Sequence, residues 1–293
     1  MLAPEMTASA KLARRSALRP VQVVAVTGGK GGVGKTTVAV NLATGLAALG
    51  RRTMLLDGDL GLANVDILLG LTPRFTLADV VAGTRSLDEV VIDTQLGFQV
   101  VPGGSGIADL ASLSDAEHYG LIRAFSAIAP GLDTLIVDTA AGISPSVLQL
   151  SQACQSVLVV VCDEPASVAD AYALVKVLSR KHGVGRFQIL ASMVRAKGAG
   201  KRLFDTLTRV TGQFLDVTLE YAGEIPDDPY LRRSVLEQRP VLAAYPSSPA
   251  ARAFKFLAAA VDNWELPTGA RGNLEFFAER LVHRPQPKME VVR

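Results

Sequence analysis

Short apolar runs recur along the chain at Val21–Val26, Arg52–Leu56, Phe98–Val101, Thr134–Val137, Val157–Cys162, Phe187–Met193 and Val217–Ala222. Most are separated by stretches with helical periodicity. β-rich runs of this length alternating with helices predict an α/β fold, a mostly parallel twisted sheet with helices on both faces. Helix starts are marked as well: Ser114 followed by Glu117 predicts a capping box, and Pro165 suits the first turn of a helix over 166–178. Two segments stand outside the alternation. Residues 1–20 are polar and carry Lys11, Arg14, Arg15 and Arg19, which predicts a flexible basic tail. Residues 266–293 open around Pro267-Thr268-Gly269, pass through a short amphipathic stretch and end rich in proline. The expected division is therefore a tail over 1–20, one domain over 21–265, and a C-terminal helix and tail over 266–293.

Composition narrows this picture only slightly. Of 293 residues 49% are apolar, enough to bury the core of one α/β domain. The formal charge of +2 gives no global field that recruits nucleic acid, so no direct nucleic-acid partner is expected. Cys154 and Cys162 are the two cysteines; they sit in or beside an apolar run without metal or redox spacing, and read as buried thiols in a reducing compartment. The first twenty residues lack the apolar stretch of a secretory signal, and no run approaches the length of a membrane-spanning helix. A cytoplasmic protein is expected.

Chemistry enters where the first apolar run ends. Gly29-Lys30-Gly31-Gly32-Val33-Gly34-Lys35-Thr36 follows it directly, so a strand feeds a glycine-rich turn that opens a helix. Glycines at this density let successive backbone N–H groups close around a polyphosphate, and the following helix aims its N-terminal dipole at the same anion. Lys35 reaches the β- and γ-phosphates, and Thr36 offers its hydroxyl to Mg²⁺. Ligands of open α/β sheets gather at the carboxyl ends of strands, and two further ends carry acids: Met54-Leu55-Leu56 runs into Asp57-Gly58-Asp59, and Leu135-Ile136-Val137 into Asp138-Thr139-Ala140-Ala141-Gly142. Asp138 has the form of a Walker B acid that holds the Mg²⁺ shell, often through water. The alternative for each aspartate is a turn or helix cap.

Lys30 has no task in a bare phosphate loop. The string Lys30-Gly31-Gly32-Val33-Gly34-Lys35-Thr36-Thr37 resembles the deviant phosphate loop of the MinD/ParA ATPases. That resemblance implies a P-loop fold of MinD type, ATP and Mg²⁺ as cofactors bound over Gly29–Thr37, and a homodimer formed around ATP in which Lys30 reaches the nucleotide of the other subunit. It also implies that Asp57 supports the metal site with Thr36 and Asp138, that Gly142 is a switch glycine near the γ-phosphate, and that Asp59 positions the attacking water. Slow Mg²⁺-dependent hydrolysis would then be assisted by Lys30, Lys35 and Asp59. In the same superfamily the adenine is met by a residue after a late strand and a loop at Ile-Pro, here Ser192, Arg195, Pro226 and Asp227. Relatives often carry Asn where Ser192 stands, and a hydroxyl offers fewer donors and acceptors than an amide.

The stretches Val21–Gly29, Asp59–Asp66, Asp138–Gly142, Val161–Pro165 and Asn273–Val282 look like those of the flagellar number regulators, the FleN/FlhG-type MinD relatives. What that branch implies is an ATP-switched dimer that restrains an AAA-type master activator of flagellar genes, in opposition to an SRP-type GTPase that places the flagellum. The alternatives are a MinD/ParA-type positioning or partitioning ATPase working on a membrane or DNA cargo, and a metal-cluster carrier of nitrogenase-iron-protein type, for which Cys154 and Cys162 lack a suitable setting. Asp163–Asp170 and the helix behind it are a candidate partner surface. Near the end, Leu274, Phe277, Ala278, Leu281 and Val282 follow helical spacing and predict one apolar stripe over 274–282, with Phe276 off it. Such a helix either lies in a membrane surface, peripheral on the inner membrane near the pole, or packs back on the domain. Docking in one state and release in another is the expectation.

Overall fold

All seven apolar runs become strands, and with one further strand they form a single eight-stranded sheet of order β3-β4-β2-β5-β1-β6-β7-β8. The strands are β1 (Gln22–Gly28), β2 (Thr53–Gly58), β3 (Ile92–Asp93), β4 (Gln99–Val101), β5 (Thr134–Ala141), β6 (Ser156–Cys162), β7 (Arg186–Val194) and β8 (Thr218–Pro226). All neighbours are parallel except β3, which runs antiparallel to β4 at the edge. This computed structural model describes residues 20–59, 61–104, 115–128, 131–266 and 275–277. The tail over 1–19 and the Ser114 end of the expected capping box lie outside those residues. Capping boxes do stand at Thr76/Asp79 and Ser86/Glu89.

The connections are helical: α1 (Lys35–Ala48), α2 (Val65–Leu69), α3 (Leu77–Val81), α4 (Leu87–Val90), α5 (Asp115–Ala124), α6 (Pro145–Gln152), α7 (Pro165–His182), α8 (Ala199–Phe214), α9 (Pro229–Leu236), α10 (Val241–Ala244) and α11 (Pro249–Asp262). Pro165 opens α7, as its fixed φ and missing N–H favour. Alternation along the central strands sends Val24, Val26, Ile136 and Leu158 to one face, against α1 and α11. Val23, Ala25, Leu135 and Val137 pack on the other. Helix α1 lies between sheet and α11, so Val38, Val40, Leu42 and Leu46 are buried all round it. Among the described residues no helix is long and apolar enough to cross a membrane.

The C-terminal segment differs from expectation. Glu275–Phe277 form a turn rather than part of a helix, and Phe277 has φ 56°, a left-handed conformation that a helix does not continue through. Phe276, placed off the stripe by periodicity, is fully buried, and Phe277 is 1% exposed. Phe276 meets Phe125 edge to face at 5.4 Å between centroids and donates its N–H to the Ala153 carbonyl. These rings fill the core beside Leu121, Ile122 and Leu150, so residues 275–277 are part of the domain expected to end at 265. Of the remaining stripe, Leu274 and 278–282 lie outside the described residues.

Candidate functional site

β1 lies at the centre of the sheet between β5 and β6, and β2 flanks β5. The register pairs Val26 with Asp138 and Asp57 with Asp138, so the turns leaving β1, β2 and β5 meet at one end of the sheet. The loop Gly29–Gly34 rises there into α1. Gly34 caps α1 at φ 91°, which only glycine adopts without strain. At Gly29 a Cβ would stand 2.3 Å from the Asp170 backbone, so the front of the loop rests directly on α7. At Gly31 and Gly32 a Cβ would meet nothing within 4 Å, leaving that side of the loop open to a phosphate.

Lys35 is buried at the start of α1, where burial lowers its pKa against the opposing pull of Asp138 and Asp59. Asp138, 1% exposed, is held with its pKa well above the carboxylate range by burial and by neighbouring Asp57, although the Thr36 hydroxyl donates to it. Its Oδ1 is buried with no hydrogen-bond partner. An orphaned carboxylate oxygen beside a hydroxyl and a lysine suits a cation that would pair it. Thr36 and Asp138 therefore fit Mg²⁺. Among the described residues no group of three or more His, Cys, Asp or Glu is placed to cage a metal, and Mg²⁺ with phosphates needs only one or two carboxylates.

The other acids are engaged differently. Asp57 is 1% exposed, its pKa raised to about 6 by burial, and both its oxygens accept backbone N–H groups. Asp59 accepts the Leu62 N–H at 3.2 Å and so closes a turn. Gly142, φ 94°, donates its N–H to the Gly28 carbonyl at 3.0 Å, tying the turn after β5 to the end of β1. Lys30 pairs with Glu164 at 2.7 Å, its pKa raised chiefly by that hydrogen bond. Glu164 is a partner the sequence did not announce, because only the β6–α7 turn brings it to the loop. Cys162 lies beneath, its Sγ 3.9 Å from the Val33 carbonyl, and Cys154 is buried; neither is in a disulfide.

Beside the loop a pocket is lined by Gly34, Thr37, Ser192, Met193, Pro226, Asp227 and Arg232, among others. It brings together the expected Ser192, Pro226 and Asp227. Arg195 does not line it: 86% exposed, it pairs with Asp227 at 3.2 Å. In its place the pocket is lined by Met193, held at φ 56° at the end of β7, and Arg232, which also pairs with Asp227. Met193 follows Ser192 directly, so chain position was the available signal. Arg232 arrives from α9.

The CobQ/CobB/MinD/ParA nucleotide-binding domain model matches residues 24–241. The chain is 57% identical over 268 residues to the antiactivator FleN of Pseudomonas aeruginosa, covering 92% of this chain and 96% of that protein. It is 30% identical over 217 residues to the flagellum site-determining protein YlxH of Helicobacter pylori, covering 74% and 73%. Among solved structures, the septum site-determining protein MinD of Pyrococcus horikoshii complexed with Mg-ADP superposes with a TM-score of 0.69 at 27% identity, covering 83% of this chain and 96% of that one. With its phosphate loop, its paired acids and this likeness over most of its length, the chain belongs to the CobQ/CobB/MinD/ParA nucleotide-binding family.

Proposed function

We propose that this protein is an ATP-switched antiactivator that limits flagellar number: as an ATP-bound homodimer it restrains an AAA-type transcriptional activator, and slow hydrolysis ends the restraint. The observation that carries this reading is the 57% identity to FleN across 92% of the chain. An SRP-type flagellar GTPase would act in opposition without direct contact. ATP with Mg²⁺ supplies, when bound, a γ-phosphate whose loss to water times the switch. The loop amides and Lys35 hold the phosphates, Thr36 and Asp138 hold the cation, and Asp59 orients the attacking water. Ser192, Met193, Pro226 and Asp227 form the base subsite.

Dimerisation has physical support on this face. Leu62 (73% exposed) and Ile143 (49%) follow β2 and β5, Met193 (44%) lies at the end of β7, and Leu236 (84%) ends the helix after β8. Exposed apolar side chains at the strand ends that carry the nucleotide loop suit a surface that a second copy covers. In the monomer Lys30 stays on Glu164; in the dimer it leaves Glu164 for the other subunit's phosphates, giving up an exposed pair that is worth little. The C-terminal segment stays docked through Phe276 and Phe277, and contact with a membrane requires their withdrawal.

Lys35→Ala is expected to lose nucleotide binding, since the phosphate charge is left uncompensated in the loop. Lys30→Ala should bind nucleotide as a monomer yet fail to dimerise with a nonhydrolysable ATP analogue. Calorimetry paired with light scattering tests both, and equal loss of binding in the two variants would remove the role of Lys30 across the interface. The activator should bind an ATP-locked Asp59→Ala variant better than either lysine variant, because a ligand shifts a state only by differential affinity. Equal binding to all three, insensitive to nucleotide, would sink the switch.

A further inference from the structure

Asp57 and Asp138 face each other across β2 and β5, yet their carboxylates are used in opposite ways. Asp138 keeps one buried oxygen without a partner. Asp57 has both oxygens engaged: Oδ1 accepts the Asp59 N–H at 3.2 Å, and Oδ2 accepts those of Asn64 at 2.9 Å and Val65 at 3.0 Å. The remaining side is closed by the loop after β4, where a Cβ at Gly103 would lie 3.3 Å from Asp57 Cγ. The carboxylate thus grips both ends of the 59–65 segment. Val65 is fully buried while Leu62 is 73% exposed, its N–H held by Asp59 and its carbonyl by the Asn64 side-chain amide.

We propose that Asp57 is a positioning residue, not a ligand of the cation: it ties Asn64 and Val65 to Asp59 at the end of β2 and thereby fixes where Asp59 stands. The inference rests on the reading of Asp59 as the group that orients water. Hydrogen bonds from N–H groups to a carboxylate are roughly twice as strong as neutral ones, and three on one side chain hold Asp59, Asn64 and Val65 in fixed relation. Asparagine at 57 would keep a single acceptor oxygen and turn an NH₂ toward backbone donors, breaking at least one of the bonds.

Residue-resolved amide exchange on the full chain tests this. In the wild type, the amides of Asn64 and Val65 should remain protected when ADP and Mn²⁺ are added, because the carboxylate does not leave them. In Asp57→Asn these amides should exchange about ten-fold faster or more, while those of β1 and β5, the folding control, are unchanged. Affinity for Mn²⁺ with ADP should stay within about three-fold of wild type in Asp57→Asn and fall by more than about ten-fold in Asp138→Asn, with Asp57→Asn losing kcat rather than KM. Loss of Asn64 and Val65 protection in the wild type on adding ADP and Mn²⁺ would overturn the proposal. So would equal loss of Mn²⁺ affinity in the two variants. Should Asp57→Asn unfold, the wild-type exchange decides alone. Unchanged turnover in Asp59→Ala would remove the water reading and still leave the exchange result to judge the anchor.

Discussion

Phe276→Ala is expected to destabilise the domain by about 3–5 kcal/mol, the range for deleting a fully buried aromatic ring. The ring has no exposed surface and meets Phe125 edge to face, so truncation removes both transfer free energy and an aromatic pair and leaves a cavity between α5 and α6. Net domain stability is only about 5–15 kcal/mol, so a large part of it would go. The same change bears on the membrane question. If the segment is released to lipid in one state, Phe276→Ala should raise binding to anionic vesicles while lowering the midpoint of chemical denaturation. If the midpoint moves and vesicle binding does not, the segment is a permanent part of the core. A midpoint within about 0.5 kcal/mol of wild type, the scale of an ordinary surface change, would contradict the packing described.

That segment also shows where the sequence was hard to read. Helical spacing through Leu274, Phe277, Ala278, Leu281 and Val282 assumes an unbroken helix, and the positive φ at Phe277 breaks it inside the described turn. Local periodicity carries no information on which distant cavity receives a ring, here the one beside Phe125 and Ala153. The seven main strands were legible as short apolar-rich runs, most of them buried on both faces, although β8 is largely half-buried; Ile92–Asp93 was not, being a two-residue edge strand with no period to detect. At the site, Gly29–Thr37 were readable because their chemistry is packed into one contiguous string. Glu164 was not, since topology brings it to Lys30, and the local turns that carry Arg232 to Asp227 and the amides of Asn64 and Val65 to Asp57 leave no periodic pattern. Arg195 was expected at the base from the resemblance, and in the structure it lies 86% exposed outside the pocket lining, paired with the lining residue Asp227.

Asp138→Asn is expected to abolish Mg²⁺-dependent turnover, by about a hundred-fold or more, and yet to stabilise the nucleotide-free, metal-free protein at alkaline pH. Burial and the nearby Asp57 raise the pKa of Asp138, and burial raises that of Asp57 from its ordinary 3.8 to about 6. A carboxyl whose folded pKa lies above its unfolded one contributes stability that is complete below the unfolded value and lost as pH climbs through the folded value. For Asp57 that window runs from about pH 4 to pH 6, and the loss is on the order of 3 kcal/mol. Asp138 adds its own loss at higher pH. Asparagine carries no charge to desolvate and no longer repels Asp57, so the variant should lose less stability than wild type as pH is raised from about 4 into the alkaline range. Thermal denaturation across that range reads the difference directly. Adding Mg²⁺ with ADP should then invert the order, raising the midpoint of the wild type, where the cation pairs Asp138, and leaving the variant nearly unmoved. Parallel stability–pH curves for the two proteins would show that Asp138 is not the charge that burial penalises, and an equal response to Mg²⁺ would take it out of the cation site.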